Sequence, residues 1–118
     1  MSPDKVESLE RRYEFFRPSS AVKCKDGWYK LIDELCGLLA NYDLKGAKID
    51  SLEEKYGGLH VGLSFNHEEL EGDVAEIINC IETKSFMICE ECGSKGQLKE
   101  KHGVYKTLCD ICRLILTP

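Results

Sequence analysis

The spacing of apolar residues predicts three helices. Residues 4–16 place apolar side chains three and four positions apart, on one helical face: Val6, Leu9, Tyr13 and Phe16. Residues 26–42 carry the strongest apolar stripe and are expected to form the main core helix: Trp28, Leu31, Ile32, Leu35, Leu38 and Leu39. We interpret Trp28 as a core anchor rather than a ligand platform. Residues 67–83 follow Asn66, a good capping residue, and are expected to bury Leu70, Val74, Ile77, Ile78 and Ile81.

Between the second and third helices the apolar period changes to strict alternation. This pattern predicts a half-buried strand that contains Leu59, Val61, Leu63 and Phe65. Residues 47–55 are its expected partner strand, and a short helix over residues 50–55 is an open alternative. Tyr56-Gly57-Gly58 is the expected turn, because Gly-Gly supplies the positive φ angles that a tight hairpin needs.

Two Cys-x-x-Cys pairs dominate the last thirty residues. Cys89 pairs with Cys92, Cys109 pairs with Cys112, and sixteen residues separate the two pairs. This spacing is typical of a tetrahedral four-cysteine zinc site. Gly93 suits the first turn, because glycine readily adopts the left-handed backbone conformation. We therefore predict a zinc ribbon in which each pair closes a short hairpin.

The segments around the two pairs can be assigned from their composition. Residues 85–88 and 104–108 are expected strands, each leading into one cysteine pair. Residues 93–103 are an expected polar loop rich in lysine. His102 lies within it and is interpreted as a loop residue, because four cysteines already complete the ligand set. Residues 114–116 are apolar, and we expect this tail to pack back on the domain.

A closed four-cysteine site predicts a structural metal rather than a catalytic one. No coordination position stays open, so the expected cofactor Zn²⁺ would not activate water. It would supply folding free energy, on the order of 10 kcal/mol. An iron–sulfur cluster or redox-active thiols are the alternatives. No spacing supports a catalytic pair between His60 or His67 and Cys24, Cys36 or Glu68. We therefore predict that the protein is not an enzyme.

Together these elements predict an α+β fold with about three helices, a β-hairpin and a C-terminal four-cysteine zinc ribbon. At 118 residues, the chain can form one domain, or one small domain with a metal-held module. We expect residues 1–84 to form the α+β body and residues 85–118 to form a zinc-ribbon module packed on that body.

The net charge of −5 is unevenly distributed along the chain. Residues 1–84 carry a net charge of −6, and residues 85–118 carry +1. An acidic body argues against a protein that binds nucleic acid through non-specific contacts with phosphates. The charge pattern therefore favours a protein partner. The alternative is a nucleic-acid-binding regulator that uses the zinc ribbon through Lys95, Lys99, Lys101, Tyr105 and Lys106.

The remaining cysteines and the N-terminus favour a cytoplasmic protein. The sequence opens on polar and acidic residues, which is unlike a secretory signal peptide, and no apolar run approaches the roughly 18 residues of a membrane span. Seven cysteines leave three outside the zinc site, namely Cys24, Cys36 and Cys80. We interpret these three as free thiols in a reducing compartment, with Cys36 and Cys80 as core residues.

Three sequence blocks resemble a family of small uncharacterised phage and prophage proteins. The blocks are Asp26-Gly27-Trp28-Tyr29 with the apolar residues after it, Glu54-Lys55-Tyr56-Gly57-Gly58-Leu59, and the region from Ser85 to Cys112 that holds both cysteine pairs. The resemblance implies expression in a bacterial host cytoplasm. By analogy with other small acidic phage proteins, it implies a non-catalytic binding protein that engages a host protein, for instance as an inhibitor of a defence system.

Overall fold

The computed structural model describes residues 1–17 and 20–116, which form four α-helices and two small sheets. The elements in chain order are α1 (Pro3–Arg12), β1 (Ala21–Lys23), α2 (Tyr29–Leu39), β2 (Lys48–Lys55), β3 (Gly58–Ser64), α3 (Glu71–Ser85), β4 (Gln97–Lys101), β5 (Val104–Leu108) and α4 (Asp110–Leu116). Short 3₁₀ turns precede α2 and α3 at Asp26–Trp28 and Glu68–Leu70. The α+β class is confirmed, with one helix more than the sequence predicted.

The core is built around α2, as its apolar stripe predicted, except that Leu38 lies at the surface. Trp28, Ile32, Leu35 and Leu39 are fully buried, and α3 packs beside α2. The first helix is shorter than predicted, because α1 ends at Arg12 and the chain is extended at the next residue. Phe16 is buried nevertheless, from the turn that follows α1.

The larger sheet has the strand order β1-β2-β3. β2 and β3 form the predicted antiparallel hairpin, which excludes a helix over residues 50–55. The turn is Tyr56-Gly57, and both residues have positive φ angles of 52° and 86°. Gly58 is already the first residue of β3, so the expected Gly-Gly turn is wrong by one position. β1 pairs parallel to β2, with Val22 opposite Leu52.

Side chains of α3 cover the free edge of β3. The backbone N–H of Leu59 donates to Ser85 Oγ at 2.8 Å, and that of Val61 donates to Glu82 Oε2 at 2.9 Å. These donors would otherwise be open to pairing with another chain. Asn66 does not cap this helix, because a 3₁₀ turn intervenes and Leu70 occupies the capping position.

The C-terminal part differs most from its predicted elements. Residues 85–88 are not a strand: α3 continues to Ser85, and Ile88 forms only an isolated bridge with Lys95. Residues 93–103 are not one loop, because β4 lies within them and pairs with β5 around a turn at His102 and Gly103. Residues 114–116 belong to α4 and are exposed instead of packing back on the domain. Within the described residues, no helix is both long and apolar enough to cross a bilayer.

Candidate metal centre

The first cysteine pair sits on a tight turn directly after α3. The Cys89 N–H donates to the Ser94 carbonyl at 2.7 Å, and the Gly93 N–H donates to the Cys89 carbonyl at 2.9 Å. Gly93 has a φ angle of 84°, which is the left-handed conformation expected from the sequence. We call residues 89–94 the knuckle. Cys89 is fully buried in it, whereas Cys92 is exposed.

The second pair lies where β5 gives way to α4. Cys109 follows the end of β5, and Cys112 lies in the first turn of the helix. The Cys112 N–H faces Cys109 Sγ at 3.4 Å, and the Arg113 N–H donates to the Cys109 carbonyl at 3.0 Å. The second pair therefore opens a helix, and does not close a hairpin as the sequence suggested.

The four sulfurs converge on one point. All four Sγ atoms lie within 4.8 Å of one another, and Cys92 Sγ is 3.6 Å from Cys109 Sγ. A tetrahedral ion with Zn–S bonds of about 2.3 Å places neighbouring sulfurs about 3.8 Å apart, whereas a disulfide needs about 2.05 Å. The arrangement therefore fits four thiolates around one ion and no disulfide. The predicted clustering of these cysteines is confirmed, and they could hold a metal ion.

The sulfurs influence each other's protonation. Hydrogen bonds from Ser94, and then from Cys109, lower the pKa of Cys92 to about 6. The pKa of Cys112 is raised, first by its hydrogen bond to Cys109 and then by desolvation. The Cys92 thiolate therefore forms easily, while Cys112 retains its proton. Four thiolates at this spacing need a cation among them, so metal binding would displace protons from the site.

The segment before α2 holds the knuckle against the body. The Gly27 N–H donates to the Glu90 carbonyl at 2.7 Å, and Trp28 Nε1–H donates to the Ile88 carbonyl at 2.9 Å. A Cβ atom on Gly27 would lie 2.1 Å from the Cys89 carbonyl oxygen, so only glycine fits here. The Glu90 carboxylate accepts the Lys25 N–H at 3.2 Å, and burial raises the pKa of Glu90.

The turn of the β2–β3 hairpin makes a second contact with this region. Thr107 Oγ1–H donates to the Gly57 carbonyl at 2.7 Å from a fully buried position. Gly58 lies against the Phe86 ring, which would be 2.3 Å from an added Cβ atom. These contacts were missed at the sequence level. Gly27 and Gly58 are the sequence features that could have indicated these contacts, because a glycine is needed where another segment comes this close.

The three histidines lie apart from the four sulfurs. His102 occupies the β4–β5 turn, as expected for a loop residue, with a φ angle of 54°. His60 is exposed on β3 and pairs with Glu53 across the sheet. His67 Nε2 lies 3.0 Å from the Lys45 carbonyl, and its Nδ1 lies 3.8 Å from Glu69.

The remaining cysteines have different environments. Cys24 and Cys36 are buried, and desolvation raises the pKa of each thiol to about 12. Both thiols are therefore protonated and unreactive at neutral pH. Cys80 was expected in the core, but it is exposed on α3. The helical spacing could not decide this, because α3 buries only a narrow stripe around Val74 and Ile81.

No family model, curated protein or solved structure matches this chain.

Proposed function

We propose that this protein is a non-catalytic protein-binding module in which structural zinc fixes α4 as the contact element. The observation that carries the proposal is the exposure of three apolar side chains of α4. Ile111 is 70% exposed, Leu114 is 80% exposed and Ile115 is 74% exposed. They stand at positions i, i+3 and i+4, which is one face of a helix. A helical face of this kind is typical of segments that bind in an apolar groove.

The size of this face favours a groove on a different protein over a second copy of the chain. The exposed fractions of the three residues add up to just over two fully exposed residues. This corresponds to roughly 200 Å² of apolar surface. Two copies meeting through these faces would bury far less than the roughly 1,200 Å² of a stable interface. A groove that surrounds the helix would contribute its own walls. Burying the three side chains would then contribute roughly 3–6 kcal/mol.

Zinc is the expected link between the fold and this contact. Cys109 and Cys112 lie at the start of α4, so an ion held by the four thiolates would fix the first turn of the helix. A seven-residue helix is not stable on its own in water. We therefore expect partner binding to depend on metal. With four protein ligands, the ion has no open position for substrate or water, which is why we propose a binding role and not catalysis.

The setting of this role follows from the family resemblance. We propose that the protein is phage-encoded, acts in the cytoplasm of a bacterial host and engages a host protein, such as a component of a defence system. The acidic body, with a net charge of −6 over residues 1–84, disfavours broad contact with nucleic acid and is consistent with a protein partner.

The test compares three forms of the protein as bait in bacterial lysate. The first is the wild type, and the second is the double variant Leu114→Ser/Ile115→Ser. The third is Met87→Ser, which removes an exposed apolar side chain outside α4 and serves as the matched control. We expect one partner to be retained by the wild type and by Met87→Ser and lost from the double variant. The purified partner should then bind the metal-loaded wild type in calorimetry, and binding should disappear after chelation.

Metal content and unfolding of all three baits are measured first, so that loss of the fold is not mistaken for loss of the contact. Equal retention of every captured protein by the wild type and the double variant would refute α4 as the contact element. Partner binding that survives complete metal removal would refute the role given to zinc.

A further inference from the structure

The β4–β5 hairpin has one face that carries only basic charge. Alternate residues of a strand point to the same side, so Lys99 and Lys101 share a face of β4. Lys106 lies directly opposite Lys99 in the neighbouring strand and therefore belongs to the same face. All three lysines are exposed. We call Lys99, Lys101 and Lys106 the lysine face.

The opposite face of the hairpin is fixed against the body, which leaves the lysine face turned to solvent. Thr107 Oγ1–H donates to the Gly57 carbonyl, and the rings of Tyr105 and Tyr56 meet edge to face with centroids 6.1 Å apart. Leu98 lies close enough to Gly57 that an added Cβ atom would be 2.4 Å from its side chain. These contacts dock the hairpin through the face opposite the three lysines, and Arg113 of α4 additionally donates to the Gln97 carbonyl at 2.7 Å.

The lysine face has one carboxylate, Glu90, near enough for the charge of Lys106 to act on it, but its lysines form no close ion pair among the described residues. Like charges directly opposite each other in a sheet destabilise it, yet Lys99 faces Lys106. Among the described residues, no ion pair within 4.0 Å involves any of the three lysines. Glu100 is on the other face of β4, where it accepts the Gly103 N–H at 2.6 Å. This positive cluster is unexpected in a chain of net charge −5.

We propose that the lysine face binds the phosphate backbone of nucleic acid without reading its sequence. The backbone positions of Lys99 and Lys106 are about 5 Å apart across the strands, and those of Lys99 and Lys101 are about 7 Å apart along β4. Duplex DNA carries one charge per 1.7 Å of its axis, so it can offer several phosphates to so small a cluster. Lysine suits this role, because a flexible point charge needs no particular geometry in its partner. The acidic body confines the contact to the hairpin.

The test is fluorescence anisotropy of the zinc-loaded protein with labelled duplex DNA, single-stranded DNA and RNA of unrelated sequences. Three neutralised phosphates predict a slope of about −2.7 for log K against log salt on duplex DNA. Affinity should therefore fall about 40-fold between 50 and 200 mM salt. The variant Lys99→Ala/Lys106→Ala should reduce the slope to about −0.9, because one contact remains.

The matched control is Lys23→Ala/Lys30→Ala, which removes the same charge from exposed positions on the body and should leave the slope unchanged. Absence of binding at 25 mM salt, or equal slopes for the two double variants, would overturn the proposal. Equal competition by poly-glutamate would also overturn it, because the face would then suit an acidic protein. The proposal does not depend on α4: Leu114→Ser/Ile115→Ser should bind nucleic acid like the wild type.

Discussion

Replacing Gly27 by alanine should separate the knuckle from the body. The added Cβ atom would lie 2.1 Å from the Cys89 carbonyl oxygen and 2.3 Å from that of Glu90. Both obstacles are backbone atoms, so no side-chain rotation can relieve the overlap. The knuckle or the turn before α2 has to move, and the Gly27–Glu90 hydrogen bond of 2.7 Å lengthens with it.

The cost can be estimated from these two effects. Overpacking of a fixed site costs about 1–3 kcal/mol. Leaving the buried partners of a hydrogen bond unpaired costs about 1–3 kcal/mol more. The substitution should therefore destabilise the protein by roughly 4 kcal/mol, a large part of the 5–15 kcal/mol typical of a small domain. For a chain of this length, that corresponds to a fall in Tm of roughly 10–20 °C.

Urea unfolding of the zinc-loaded protein at fixed free zinc measures this effect. The matched control is Gly72→Ala, because an added Cβ atom there meets nothing within 4 Å and the position lies in α3. That change should stabilise the protein by about 0.5–1 kcal/mol. If the unfolding free energy of Gly27→Ala is within 0.5 kcal/mol of the wild type, the close contact between Gly27 and the knuckle is refuted.

Two further predictions concern the thiols. With zinc bound, we expect a thiol reagent to modify one cysteine rapidly, the exposed Cys80, and to modify the four cysteines of the metal site as well after chelation; three or more rapid thiols before chelation would contradict the metal site. The second prediction concerns alkaline pH. Burial raises the pKa of Cys36 to about 12, so the unfolded chain, with an ordinary thiol pKa near 9, loses this proton first as pH rises. Stability is therefore full below about pH 9 and falls toward pH 12. Between pH 9 and 10.5, the unfolding free energy of Cys36→Ala should fall by about 1.5 kcal/mol less than that of the wild type in urea titrations; equal falls would show that the buried thiol is not the cause.

The sequence was most informative where a pattern is long or a spacing is specific. The apolar stripe of α2 runs over three turns, and its burial follows from periodicity alone. The four cysteines meet because two short turns with a fixed spacing can enclose one ion. In both cases, local sequence sets the geometry.

Strands could not be predicted where the pairing partner is distant in the sequence, or where both faces of the strand are polar. β1 has three residues and depends on β2, some thirty positions away. β4 reads Gln-Leu-Lys-Glu-Lys, and all five residues are exposed, so no apolar alternation marks it as a strand. The tail was expected to pack because it is apolar, but exposed apolar residues are common on protein surfaces. The helical conformation of α4 and its exposed apolar face could therefore be recognised only from the structure.

The glycines show the same limit in another form. Gly57 was assigned correctly to a turn, and its positive φ angle bears this out. Gly27 and Gly58 serve a different purpose, because each lies where another segment approaches too closely for a side chain. Gly27 meets the knuckle and Gly58 meets the Phe86 ring, so close packing explains both glycines without reference to a ligand.

X-ray absorption at the zinc edge, on protein purified without chelator, tests the central claim most directly. The account predicts close to one equivalent of zinc surrounded by four sulfur atoms at about 2.3 Å. Substantial nitrogen or oxygen coordination, or a metal content far below one equivalent, would contradict it.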